Sequence, residues 1–133
     1  MAYFADTSFW IALLDKRDNA HAAAHVLKSK VGDDVVTSEL VLIELLAYFS
    51  KQGAHLRRLA CNFVKAIQKG PLTVVAHSDE LFQRAFDQYE RVSNDKTWSL
   101  VDCASFAIMR DRNITFALTF DDHFKEAGFT IET

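Results

Sequence analysis

The chain has 133 residues, half of them hydrophobic and a quarter charged, with a formal net charge of −3. That length fits one domain, able to bury roughly two-thirds of the surface its unfolded chain exposes, and the composition excludes disorder. Two distant cysteines, Cys61 and Cys103, exclude a disulfide framework, match no metal-ligand spacing and suit a reducing compartment.

The apolar run Phe9 to Leu14 has no basic lead and is too short for a signal peptide. No stretch approaches the ~20 apolar residues of a membrane helix. The expected location is therefore the cytoplasm, with no membrane partner. One proline and four glycines predict long elements with short connections.

Tyr3 to Ala5 reads as a first strand, followed by a helix from about Ser8 to Leu14. Asp18 or Asn19 is placed to cap a second helix running through Lys30. Val35 and Val36 suggest a second strand, after which Thr37 or Ser38 caps an apolar helix to about Ser50. A helix over His55 to Lys69 stops at Gly70-Pro71, and Leu72 to Ala76 is a β-branched strand. Ser78 or Asp79 caps a helix to about Val92, and Ser99 opens another to Arg112. Ile114 to Thr119 is a strand extending toward Phe120, Asp121 to Ala127 a short helix, and Phe129 to Ile131 a last strand. Short apolar strands alternating with helices predict a parallel sheet covered on both faces, a three-layer α/β/α sandwich. Ligands of such sheets sit beyond the carboxyl ends of the strands.

Several acidic residues fall where that rule directs attention. Asp6 ends the first strand, where it could equally cap the next helix. Asp121 ends the strand through Phe120 and by alternation shares a face with Ala117 and Thr119, whereas Asp122 points elsewhere. Asp102 follows Ser99 by three residues, a spacing close to a capping box, yet it also stands in the first turn of its helix. Glu44 has Leu40, Val41, Ala47 and Tyr48 as helical neighbours, all apolar or aromatic. A lone carboxylate on such a face is expensive unless it is paired or binds a metal.

Crowded carboxylates raise each other's pKa, and a divalent cation reverses that logic. With oxygen ligands and no nearby His or Cys pairing, Mg²⁺ or Mn²⁺ is the expected ion. Such an ion lowers the pKa of a bound water and polarises an oxygen of whatever substrate it holds. Separately, Leu45 to Ser78 holds no acid but contains Lys51, Arg57, Arg58, Lys65 and Lys69. That stretch could contact a phosphate backbone, although a solvated helix face has the same composition.

The segments Ala5-Asp6-Thr7-Ser8-Phe9-Trp10, Thr37-Ser38-Glu39 followed by Glu44, Trp98-Ser99-Leu100-Val101-Asp102-Cys103 and Leu118-Thr119-Phe120-Asp121-Asp122-His123-Phe124 occur in this order, nearly end to end. Together they resemble the PIN-domain family, and within it the toxin ribonucleases of VapBC-type toxin–antitoxin pairs. The resemblance implies one PIN-like nuclease domain over residues 1–133. Its catalytic and metal-holding residues would be Asp6, Glu44, Asp102 and Asp121, with Mg²⁺ or Mn²⁺ as cofactor and Thr7 and Thr119 lining the pocket. Arg57 and Arg58 are the candidate RNA contacts from the acid-free stretch. It further implies an RNA substrate, a homodimer and a cognate antitoxin.

Other readings fit less well. An aspartate-nucleophile phosphatase needs a second acid where Ser8 stands. A receiver domain needs paired acids after the first strand and a later pocket lysine. A PIN fold retained as a non-catalytic RNA- or protein-binding domain would have little use for four intact acids. His21 and His25 are spaced for zinc, but no third ligand follows in register, so they are read as helix-surface residues.

Overall fold

The computed structural model describes residues 1–133. The elements run β1 (Tyr3–Ala5), α1 (Thr7–Leu14), α2 (His21–Val31), β2 (Val35–Ser38), α3 (Glu39–Phe49), α4 (Ala54–Lys69), β3 (Thr73–Val75), α5 (Asp79–Arg91), α6 (Leu100–Asp111), β4 (Phe116–Leu118), α7 (His123–Glu126) and β5 (Thr130–Ile131). The strands form one parallel sheet in the order β3-β2-β1-β4-β5. The expected α/β sandwich is therefore present.

Local chemistry sets several boundaries. Ser38 Oγ accepts from the Val41 N–H at 3.1 Å and Ser78 Oγ from that of Leu81 at 3.1 Å, which decides both of the open capping choices. Thr37, released from capping, is fully buried, where it accepts from Trp10 Nε1 at 3.2 Å and donates to the Ala5 carbonyl at 3.0 Å. Asp18 forms a turn through the Ala20 N–H at 2.8 Å, and neither Asp18 nor Asn19 caps α2, whose N-cap is Ala20. His21 and His25 lie near α1, a ring nitrogen of each reaching the carbonyl of Ala12 or Leu13 at 2.8 and 3.1 Å. They satisfy carbonyls that the end of α1 would leave open, so the surface-histidine reading over zinc is the one the geometry favours.

The core joins Phe4 of β1 to Phe124 of α7 at 6.3 Å between ring centroids, and Phe124 to Phe106 of α6 at 5.0 Å. On another side Trp10 meets Phe9 at 5.2 Å and Phe63 of α4 at 5.0 Å. Burying each large ring contributes roughly 1.5–3 kcal/mol, which holds β1 rigidly at the centre of the sheet. From β1 the chain builds outward through β2 to β3, then crosses back to place β4 on the other side of β1. The order of strand addition thus reverses between β1 and β4, and the position beyond the carboxyl ends of those two strands is the ligand-binding one for this architecture.

Candidate active site

Asp6 is the first residue beyond β1. Its backbone continues the sheet register, donating to the Leu118 carbonyl at 3.1 Å. Its side chain makes no capping bond to α1, so the capping role does not account for it. Instead Oδ2 accepts from Thr119 Oγ1 at 3.0 Å and from Ser8 Oγ at 3.1 Å. Ser8 Oγ also accepts from the Phe120 N–H and Thr119 Oγ1 from the Asp121 N–H, each at 3.0 Å. These bonds stitch the end of β1 to the loop beyond β4. Burial pushes the Asp6 carboxyl up to about 6 and the charge of Asp102 adds to the rise, while the Thr7 backbone and the two hydroxyls oppose it.

Thr7 and Glu44 form the neighbouring wall. Burial raises the Glu44 carboxyl above its ordinary value; the Thr7 hydroxyl offsets part of this, and the charges of Asp102 and Asp121 add to it. The apolar neighbours that made Glu44 look core-bound are not all core. Ala47 and Tyr48 are exposed and Glu44 itself is half-buried, so it stands at the edge of packed protein and is not a charge inside it. It has no ion-pair partner within 4.0 Å. Thr7 Oγ1 is buried with no hydrogen-bond partner at ordinary distance. An orphaned buried hydroxyl among carboxylates is what a bound ion and its water would satisfy.

Asp102 enters from the first turn of α6 and fulfils the capping-box expectation: its N–H donates to Ser99 Oγ at 3.0 Å and its Oδ2 accepts from the Ser99 N–H at 2.9 Å. That role does not exhaust it. The same Oδ2 lies 2.8 Å from His123 Nδ1, which also lies 3.2 Å from Asp121 Oδ2. Asp121 Oδ1 accepts from the His123 N–H at 3.0 Å, and His123 Nε2 reaches Thr97 Oγ1 at 3.0 Å. Burial depresses the imidazole, but the hydrogen bond to Asp102 and the charges of Asp102, Asp121 and Glu126 outweigh it, so the His123 pKa is raised.

Two expectations need correction here. β4 ends at Leu118, so Asp121 is not on a strand and alternation does not place it; the Thr119 hydroxyl does, by taking its N–H. Asp122, as expected, stands apart from Asp121, lining a separate cleft with Lys30 and the C-terminal residues. The site also includes a histidine that sequence reasoning missed. Donor atoms of Asp102, Asp121 and His123 all lie within 4.8 Å of one another. The signal was His123, two residues after Asp121, in the quoted segment at the start of a short helix.

Asp6, Glu44, Asp102 and Asp121 are thus coupled electrostatically, and no lysine or arginine pairs with any of them. His123 is the one ion-pairing partner of the set. Arg57 and Arg58 stand in the first turns of α4, exposed and unpaired, and neither shifts Asp6 or Glu44.

The sequence profile of the PIN domain matches residues 3–130. The chain belongs to the PIN-domain family. Among curated PIN relatives, the 23S rRNA-specific endonuclease VapC20 of Mycobacterium tuberculosis is 34% identical over 127 residues, spanning 95% of this chain and 94% of that protein. The crystal structure of M. tuberculosis VapC20, a sarcin–ricin-loop-cleaving toxin, superposes with a TM-score of 0.88 at 30% identity over 97% of both chains. The PIN fold is shared more distantly with VapBC2 of Rickettsia felis bound to promoter DNA, at a TM-score of 0.67 and 15% identity over 99% of this chain and 98% of that one.

Proposed function

We propose that this PIN-domain protein is a divalent-cation-dependent endoribonuclease and the toxin of a toxin–antitoxin pair. The observation that carries the reading is the convergence of Asp6, Glu44, Asp102 and Asp121 at the reversal point of the sheet, uncompensated by lysine or arginine. Identity of 34% to a 23S rRNA-specific endonuclease along nearly the whole chain supports RNA as the substrate.

Asp6 and Asp102 are the residues that would hold the ion, with Glu44 and Asp121 beside them. The hard oxygen set favours Mg²⁺ or Mn²⁺. When bound, such an ion supplies water activation, phosphoryl polarisation and neutralisation of developing charge. The chain's own residues do the positioning. Thr119 and Ser8 tie down one oxygen of Asp6, leaving Oδ1 without a side-chain partner. Ser99 and His123 hold Asp102 from two sides, and His123 also fixes Asp121. Glu44, half-buried and raised, is placed to exchange a proton with solvent at its carboxylate. Water adds to phosphorus, the bond to the 3′ oxygen breaks, and that oxygen takes the proton.

A homodimer is supported by exposed apolar side chains on α3 (Ile43, Leu46) and α5 (Phe82, Phe86). An antitoxin that covers the acidic crevice completes the reading. The test is cleavage of a sarcin–ricin-loop RNA oligonucleotide with Mg²⁺ or Mn²⁺. EDTA should abolish cleavage, and Asp102→Asn should abolish it in a folded protein. Undiminished cleavage in EDTA overturns the metal-dependent mechanism.

A further inference from the structure

A second cavity adjoins the acidic crevice. It has a volume of about 540 Å³ and lies between the end of α5 and the loop leading into α6, with Tyr89, Asn94, Lys96, Thr97, Trp98 and Ser99 in its wall. That volume is in the range of small-molecule sites. Two wall residues belong equally to the site already described. Thr97 Oγ1 contacts His123 Nε2 at 3.0 Å, and Ser99 forms the capping box with Asp102. The cavity is therefore one residue removed from Asp102, across Ser99, and one from His123, across Thr97.

The wall's chemistry identifies the occupant. Trp98 is fixed in place by its Nε1–H bond to Glu126 at 2.9 Å and by edge contact with Phe106 at 5.1 Å. Tyr89 is 49% exposed, and its hydroxyl makes no hydrogen bond within the chain. The Asn94 amide likewise makes no hydrogen bond within the chain, nor does the Lys96 ammonium, whose charge faces Asp95, and the turn carrying them is closed by the Lys96 N–H to the Ser93 carbonyl at 3.0 Å. A pre-formed turn with free donors and acceptors and two aromatic side chains matches the face and edge of a nucleobase. One cation, Lys96, is balanced by one anion, Glu90, so the cavity has no net attraction for a phosphate. We infer that this cavity is a nucleobase subsite, which seats a base of the RNA next to the scissile phosphate and so selects where the strand is cut. The inference rests on the ribonuclease reading above.

The test uses the full chain with Tyr89→Ala and Asn94→Ala, separately and together; both positions are exposed, and an unchanged melting temperature checks the fold. Randomised RNA oligonucleotides are digested with Mn²⁺ and the cut ends sequenced. The wild type should prefer one base at a position adjoining the cut. The double variant should flatten that preference by at least about fivefold, the lower end of what losing one stacking side chain costs, while still cutting RNA. An unchanged cut-site profile overturns the subsite and leaves the nuclease reading standing.

Should the wild type cut no RNA, the nuclease reading fails and a titration decides the subsite. AMP, GMP, CMP and UMP are added to ¹⁵N-labelled protein in EDTA, with ribose 5-phosphate as control. Saturable shifts of the Asn94 to Trp98 amides by a nucleotide but not by the control, weakened by Tyr89→Ala, support a base site. No shift with any of the four, or equal shifts with ribose 5-phosphate, overturns it.

Discussion

Replacing Asp6 by Asn should stabilise the protein in EDTA, and only at a pH where Asp6 would be ionised. Burial and Asp102 move this carboxyl from 3.8 to about 6. At 1.36 kcal/mol per tenfold change, the rise amounts to about 3 kcal/mol against the ionised form in the folded state. Asparagine removes that penalty and keeps an acceptor for Ser8 and Thr119. It also turns an amide toward the Thr7 backbone N–H, which costs back on the order of 1–2 kcal/mol. The net gain is about 1–2 kcal/mol, or roughly 3–8 °C in Tm for a domain of this size. The wild-type penalty is complete above about pH 6, fades as pH falls from about 6 to 3.8, and is absent below. Thermal melts of both proteins in EDTA from pH 8 to pH 4 should therefore show a gap that closes on acidification and then changes sign, once the fading penalty falls below the cost of the misplaced amide. Adding Mn²⁺ should reverse the order at pH 8, because ligand binding stabilises only the protein that binds it. A variant equal to or less stable than the wild type at pH 8, or a gap independent of pH, would refute the account of Asp6.

Glu44→Gln should weaken Mn²⁺ binding and turnover while leaving stability in EDTA unchanged or slightly higher, since Glu44 has no cationic partner to strand; a loss of roughly 3–5 kcal/mol, the penalty for breaking a buried pair, with unchanged Mn²⁺ affinity would remove it from the site. His123→Ala should lower stability most below pH 6.5, where the imidazole is charged against Asp102 and Asp121. Because its folded pKa is raised, this contribution fades as pH rises through that folded value; a stability difference that grows with pH would contradict the arrangement. Arg57→Ala with Arg58→Ala should weaken RNA binding and reduce the log–log salt slope by about 1.4, at about 0.7 per lost contact to a single strand, measured by fluorescence anisotropy across a salt series. An unchanged slope makes both arginines ordinary surface charge.

Much of this fold was readable along the chain because it is locally encoded. Ser38, Ser78 and Ser99 each announce a helix by offering an oxygen to an N–H three residues on, and short β-branched runs separated by helices admit few arrangements other than a parallel sheet. The acids at the ends of β1 and β4 and at the start of α6 were legible for the same reason, as each follows a recognisable local signal. Glu44 was noticed because it interrupts an apolar helix, although it is less buried than its apolar neighbours implied. A helix face that is apolar in sequence need not be covered, and only packing showed that Ala47 and Tyr48 are exposed.

What the linear chain could not express is which local signals meet. The placement of Asp121 depends on β4 ending at Leu118 and on Thr119 using one hydroxyl to hold both the neighbouring Asp121 N–H and Asp6, the latter a contact that spans more than a hundred residues. The role of His123 depends on α7 and α6 being brought together by the Phe106–Phe124 contact, so that one ring nitrogen lies between two carboxylates from different elements. Residue types and local hydrogen bonding determine the elements and nominate the acids. Long-range packing around β1 decides which of them are buried and which share a field; burial, with the charge of Asp102 adding to it, moves Asp6 from an ordinary carboxyl to one near 6.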